Sequence, residues 1–260
     1  MGRVLVCGAT DFGSIGRATG KDKAAANPAL LNLTSPHVLS TLADVDIVFL
    51  AAGSAATHAC VACASALTFA EAFPRSVAID AQGRVYTWGR NETGQLGVGD
   101  RLNRNAPTLV AGLEGKKAVH AACGKFHTVV CVEGGDAYAF GLNKAGQLGT
   151  GACKVSKTSK DDEVLETPQK CAVAGVVSVA CGLDFSCWVT NEGELLTAGH
   201  PQHGVLGHGE LWLCMRHSVA HALQTWLAGT DHEYNSKEGS VKLAWQPQPV
   251  PKVVMVRVCE

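Results

Sequence analysis

AYAFGLNKAGQLGTG, residues 137–151, decides how this chain folds. Four strand-like residues lead into Gly141, four more follow, and Gly146 then opens Gly-Gln-Leu-Gly. The template recurs as VYTWGRNETGQLGVG at 85–99 and as LLTAGHPQHGVLGHG at 195–209. VLVCGATDFGSIGR at 4–17 fits it too, aligning Gly8 with Gly141, Gly13 with Gly146, Ile15 with Leu148 and Gly16 with Gly149. A pattern that returns along the chain points to stacked copies of one supersecondary unit.

A second element keeps the same period. AACGKFHTVVCV (121–132) matches VACGLDFSCWVT (179–190), with Phe185 in the place of His127, and AAGSAATHACVA (51–62) is an earlier copy with one extra residue before His58. Cys123 to Cys181 is 58 residues, and so is Gly141 to Gly199, while Gly89 to Gly141 is 52.

The unit can be read physically. HTVVCV and AYAFG have strand length and strand-like apolar content, and EGGD between them supplies glycine for a tight hairpin turn. In NKAGQLG, Asn143 can close a local turn with its side chain, and Leu148 is the apolar plug that pins the loop to the core. Pro168 opens a further strand ending at VVSVACG. About four short strands per period with little helix make a propeller blade. The expectation is an all-β, incomplete β-propeller of about four blades over residues 1–260.

Composition sets bounds. With 47% hydrophobic and 17% charged residues, the 260-residue chain can bury a sizeable core. Lysine plus arginine number 22 against 23 acids, so the net charge of −1 gives no general reason to bind nucleic acid or anionic lipid. No apolar run reaches about 18 residues, so no spanning helix is predicted. The expected location is nucleus or cytoplasm, where the 11 cysteines are buried thiols rather than disulfides. Cys60 and Cys63 form a CxxC with no second pair at zinc-ribbon spacing. No cofactor, metal or catalytic residue is predicted.

The rival reading is an NAD(P)-dependent oxidoreductase with an amino-terminal nucleotide-binding fold. It fails on spacing. Counting from Gly8, GxxGxxG needs glycine at 11 and 14, where Asp11 and Ser14 stand. No tyrosine is followed four residues on by lysine.

Spacing also exposes two misfits. His127 to Gly141 and Phe185 to Gly199 are each 14 residues, but His58 to Gly89 is 31. The surplus is assigned to residues 65–80, and a second misfit to 210–229. Either these are surface insertions, which loops tolerate at modest entropic cost, or they are gene-model errors, which their lack of turn chemistry favours. The second carries an amphipathic stripe (Trp212, Met215, Val219, Leu223, Trp226) and His217 and His221 one helical turn apart. The end at VVMVRVCE resembles VVSVACG, which reads as a chain stopping inside a repeat.

WGRNETGQLGVGD, with ACGKFHTVV upstream, resembles the repeat of the regulator of chromosome condensation family, and AFGLNKAGQLG and TDHEYNSKEGSVKL resemble its second group. The resemblance implies a seven-bladed propeller that acts as an interaction platform. It implies a small-GTPase partner, with guanine-nucleotide exchange as the activity, and association with chromatin or with microtubules. Exchange needs no acid, base or metal; it rests on binding the nucleotide-free GTPase better than the loaded one. The ultraviolet-B photoreceptor branch is not matched, because its Gly-Trp-Arg-His-Thr motif is absent.

Residues that recur in each unit, His127 among them, read as structural, His127 holding a blade turn by hydrogen bonds. Partner contact is expected from polar loop residues that differ between units: Arg90, Asn91, Glu92, Asn143, Lys144, His200 and Gln202.

Overall fold

The computed structural model describes residues 4–9, 32–52, 59–63, 66–72, 75–151, 164–202, 205–207 and 244–249. Among these residues the strands are β1 (Val4–Ala9), β2 (Asn32–Val38), β3 (Ile47–Ala52), β4 (Ala59–Cys63), β5 (Ala66–Ala72), β6 (Arg75–Asp80), β7 (Val85–Gly89) and β8 (Arg104–Leu109). They continue as β9 (Ala118–Cys123), β10 (His127–Val132), β11 (Ala137–Leu142), β12 (Val164–Lys170), β13 (Val176–Cys181), β14 (Phe185–Thr190), β15 (Leu195–Gly199) and β16 (Ala244–Pro249). A 3₁₀ turn covers Ser40–Leu42.

Four antiparallel four-stranded sheets result, in the orders β2-β1-β4-β5, β3-β6-β7-β8, β9-β10-β11-β12 and β13-β14-β15-β16. They are four blades. β5, β3, β9 and β13 follow one another as the strands nearest the common axis, each packed on the next. The parallel βαβ unit of a dinucleotide fold is not what β1 builds: it pairs antiparallel with β2 and β4. The oxidoreductase alternative is thereby removed.

Equivalent registers show how the repeat builds each blade. His127 faces Gly141 and Phe185 faces Gly199 across the central hairpins. Arg75 faces Gly89 in the same way. Residues 75–80 are therefore the regular second strand of their blade, and 53–74 joins β3 to it where three residues, 124–126, join β9 to β10. That segment contains β4 and β5, which take the two axis-side positions of the first blade, next to β1. The 210–229 misfit lies outside the described residues, as do His217 and His221.

Pro168 lies inside the outer strand β12 rather than opening one that runs into β13. Every outer strand repeats this. Pro36, Pro107, Pro168 and Pro247 each precede the residue that faces position −2 from the blade glycine: His37↔Val6, Thr108↔Thr87, Gln169↔Ala139 and Gln248↔Thr197. Proline has no amide proton, so it suits an edge and blunts pairing with another sheet.

The core lies between blades. Val4, Val6, Ile47, Leu50, Ala78 and Trp88 fill the space between the first and second. Val77, Ile79, Val130 and Phe140 pack with their neighbours between the second and third. Val129, Leu148, Val179, Trp188 and Ala198 do so between the third and fourth. Volumes trade within each face: Ala78 goes with Trp88, Val130 with Phe140, and Trp188 with Ala198. Close-packed interiors demand such compensation.

Candidate functional site

Each central strand β7, β11 and β15 ends in a glycine turn, at the same end of the molecule as the short links 124–126 and 182–184. Gly141 shows why glycine stands there. Its φ is +105°, and a β-carbon would sit 2.4 Å from the carbonyl oxygen of Phe126. The link is thus clamped against the base of the loop, with the Leu142 N–H donating to Phe126 O at 2.8 Å. His200 repeats the bond to Asp184 O at 2.8 Å.

Side chains then fold the loops. The Leu148 N–H donates to Asn143 Oδ1 at 3.1 Å, and the Leu96 N–H to Asn91 Oδ1 at 2.9 Å. Asn91 Nδ2 also donates to Asp100 O at 2.8 Å. Asp100 in turn accepts from Arg104 Nη2 at 2.6 Å and from the Leu102 N–H at 2.9 Å. Those bonds, the guanidinium first, hold its carboxyl below the ordinary carboxylate range. Gln95 and Gln147 accept from the Thr93 and Ala145 amides, both at 2.8 Å. The expected turn-closing role of Asn143 is met. Asn91 and Asn143 are buried, at 0% and 6% exposure, so both leave the set of partner contacts.

Neighbouring blades are laced at this end. Thr128 Oγ1 donates to Gln95 O at 2.8 Å, and Ser186 Oγ to Gln147 O at 2.7 Å. Ser186 has one proton, so His127 Nε2, 2.7 Å away, is the donor to its oxygen. His127 therefore ties its blade to the next one. Buried and committed in this way, it is structural.

Arg90, Glu92, Lys144, His200 and Gln202 all emerge at this end. Arg90 pairs with Glu92. The Gln202 N–H donates to His200 Nδ1 at 3.2 Å. Glu92, Lys144 and Gln202 are exposed, and Arg90 and His200 are half-buried. The structure adds three residues that sequence reading missed. The Arg90 guanidinium lies 5.9 Å from the ring centre of Phe126, and Lys125 Nζ lies 5.0 Å from it, both within cation–π range. Lys125 N–H donates to Leu183 O at 2.8 Å, which sets the cluster beside Leu183, 49% exposed. Their signal was present in GKFH against GLDF: a fixed frame with a changing middle.

The arrangement is a patch of two cations around Phe126, beside the exposed Leu183, at the loop end of the blades. The profile of the regulator of chromosome condensation (RCC1) repeat matches residues 82–131 and 134–189, and a second profile of the same repeat matches 118–147. The chain belongs to the regulator of chromosome condensation repeat family. The Xenopus laevis protein RCC2 homolog is 37% identical over 208 residues, spanning 80% of this chain and 36% of that protein. Human protein RCC2 is 36% identical over 210 residues, spanning 80% and 35%. The chain thus spans about a third of the length of these relatives. The structure of Prp20p from Saccharomyces cerevisiae, studied for its binding to Gsp1p and histones, superposes with a TM-score of 0.55 at 17% identity, over 85% of this chain and 54% of that one. Human WBSCR16 gives 0.50 at 14%, over 96% and 79%. These two likenesses show the fold.

The RCC1 repeat is offset from the blade. Residues 82–131 hold β7 and β8 of one blade with β9 and β10 of the next, and 134–189 hold β11 to β14 in the same stagger. Each RCC1 repeat therefore bridges two blades covalently, at the same boundary that Thr128 and Ser186 cross by hydrogen bonds.

Proposed function

We propose that this chain is a protein-interaction propeller that engages a small GTPase through the rim carrying Arg90, Glu92, Lys125, Phe126, Lys144, Leu183, His200 and Gln202. The activity in this reading is guanine-nucleotide exchange, and chromatin- or cytoskeleton-associated proteins are further partners in the nucleus or cytoplasm. The observation that carries it is the cluster of Arg90 and Lys125 on Phe126, beside exposed Leu183, in a chain of the RCC1-repeat family. Interface hot spots favour a desolvated aromatic or arginine anchor within a polar rim. The cluster offers such an anchor with two cations around it, which suits an acidic face with an apolar projection. Family kinship to RCC2 and the chemistry of exchange supply the partner class, since exchange requires only differential affinity for two GTPase states.

The test is release of fluorescent GDP from Ran-, Rac- and Ral-type GTPases with this chain present. Acceleration of at least about tenfold by the chain, lost in Lys125→Glu/Lys144→Glu, is expected. No acceleration across the panel removes the exchange claim.

A further inference from the structure

The opposite end of the molecule has different chemistry. The turns 81–84, 133–136 and 191–194 emerge there, with the blade-to-blade connections 110–117 and 171–175. Three of the axis-side strands begin there with a β-bulge. The ladder skips Val48 between Ile47 and Phe49, Val119 between Ala118 and His120, and Val177 between Val176 and Ser178. A bulge re-aims its extra residue, and these three valines are 49%, 44% and 52% exposed. One branched apolar side chain per blade is thus turned outward on the second, third and fourth blades.

Val119 and Val177 line a groove of about 450 Å³ between the third and fourth blades, with Val132, Gly135, Gly175 and Asn191 also lining it. The walls are fixed by backbone bonds: Glu133 N–H to Lys117 O at 2.7 Å, and Asn191 N–H to Gly175 O at 2.8 Å. A β-carbon on Gly135 would sit 2.8 Å from Gly175 Cα, so the two turns approach as closely as glycine allows. Glu133 lines the groove and faces Lys117 at 3.3 Å, and Glu192 and Glu194 follow the lining residue Asn191 on the turn 191–194; all three glutamates are exposed. Over segments 39–46, 80–84, 110–117, 133–136, 170–175 and 191–194 there are eight acids and four bases, a net charge of −4.

We propose that this groove binds a short extended segment of a protein partner that presents a branched apolar side chain flanked by lysine or arginine. The valines and glycines supply an apolar floor for such a side chain. The surplus carboxylates supply the field that draws in a cationic flank and disfavours an acidic one. The preformed walls reduce the ordering cost of binding. This surface is independent of the loop rim and does not depend on the GTPase reading.

The experiment is a fluorescence-anisotropy titration of the whole chain with three labelled peptides: Gly-Lys-Val-Leu-Lys-Gly, Gly-Glu-Val-Leu-Glu-Gly and Gly-Lys-Ser-Ser-Lys-Gly. Saturable binding of the first, at least about tenfold tighter than either of the others, is expected. Val119→Ser/Val177→Ser and Glu192→Lys/Glu194→Lys, all at exposed positions, should each weaken it about fivefold or more with an unchanged circular dichroism spectrum. Leu183→Ser, at the other end, should leave it unchanged. The proposal is overturned by no saturation, by equal binding of the three peptides, or by variants that bind as the parent does. It is also overturned if light scattering shows a dimer that Val177→Ser disperses, because a second copy is then the occupant.

Discussion

His127, fully buried, shows what single side chains do here. It lies on Gly124, where a β-carbon would be 2.0 Å from its Cε1, and it donates to Ser186 in the next blade. Phe185 lies on Gly182 in the same way, so ring-on-glycine is the recurring part and the hydrogen bond is specific to the histidine. His127→Phe should therefore cost about 1 kcal/mol, the net value of one hydrogen bond, whereas His127→Ala should cost about 2–4 kcal/mol because it adds a cavity. Urea denaturation of the two variants checks the order. A second compensation is visible at Leu148 O. Thr87 and Thr197 donate to the matching carbonyls of Leu96 and Leu206, but the third blade has Ala139 at that position, and Cys171 Sγ donates instead at 3.2 Å. Burial pushes the Cys131 thiol up to about 11 and Cys187 up to about 12, and raises Cys171 as well. A thiol whose pKa is raised on folding contributes its full stability below its unfolded pKa, about 8.5. That contribution is lost as pH climbs from there through the folded values. Thermal melts should fall progressively above about pH 9, and the buried Cys131 and Cys171 should resist iodoacetamide at pH 8 until the chain is unfolded. At this scale the sequence disclosed the turn role of Asn143 and the plug role of Leu148, because both follow from local spacing. It could not disclose that Asn91 is buried, since a loop side chain's direction depends on Asp100, nine residues away.

Among elements, packing between sheets is what varies and what stabilises. The large residue alternates between neighbouring strands of one face, Trp88 on β7 in the second blade and Trp188 on β14 in the fourth. Trp188→Ala should cost about 3–5 kcal/mol, and Ala198→Trp about 1–3 kcal/mol through overpacking. Denaturant midpoints check both. The central hairpins were legible from EGGD and the apolar runs flanking it. The boundary of the extra segment was not. ACG-x-x-H/F marks the second strand of the third and fourth blades, but in the second blade that strand starts at Arg75, while His58 imitates the mark. Only register separates them: Arg75 takes the place across from the blade glycine. Nor does a linear repeat show that β4 and β5 serve the first blade out of chain order. Replacing residues 53–74 with a three-residue turn should preserve the β3–β6 ladder yet strip β1 of its β4 neighbour. An open edge pairs with other chains, so static light scattering should show concentration-dependent association in that variant and less in the parent.

As a whole molecule, the chain is a staggered stack in which each matched RCC1 repeat spans two blades, and its two ends carry different side chains. The loop end carries the cation–aromatic cluster on Phe126; the turn end carries the valine-lined groove among turns with a surplus of acids. Neither was visible in the net charge of −1, which averages them. Four blades were legible from the four glycine turns, because a fixed period survives sequence drift. The polarity of the ends was not, because it depends on which short links meet in space: Lys125 and Leu183 are 58 residues apart. If the loop end is the GTPase-facing surface, binding should weaken with salt as exposed cations are screened, and it should distinguish nucleotide states. The most direct measurement is biolayer interferometry of this chain against nucleotide-free and GDP-loaded small GTPases, repeated with Lys125→Glu/Lys144→Glu. The account predicts clear preference for a nucleotide-free GTPase, about tenfold or more, that the charge reversal abolishes. Equal affinity for both states, or binding that the reversal leaves intact, would contradict it.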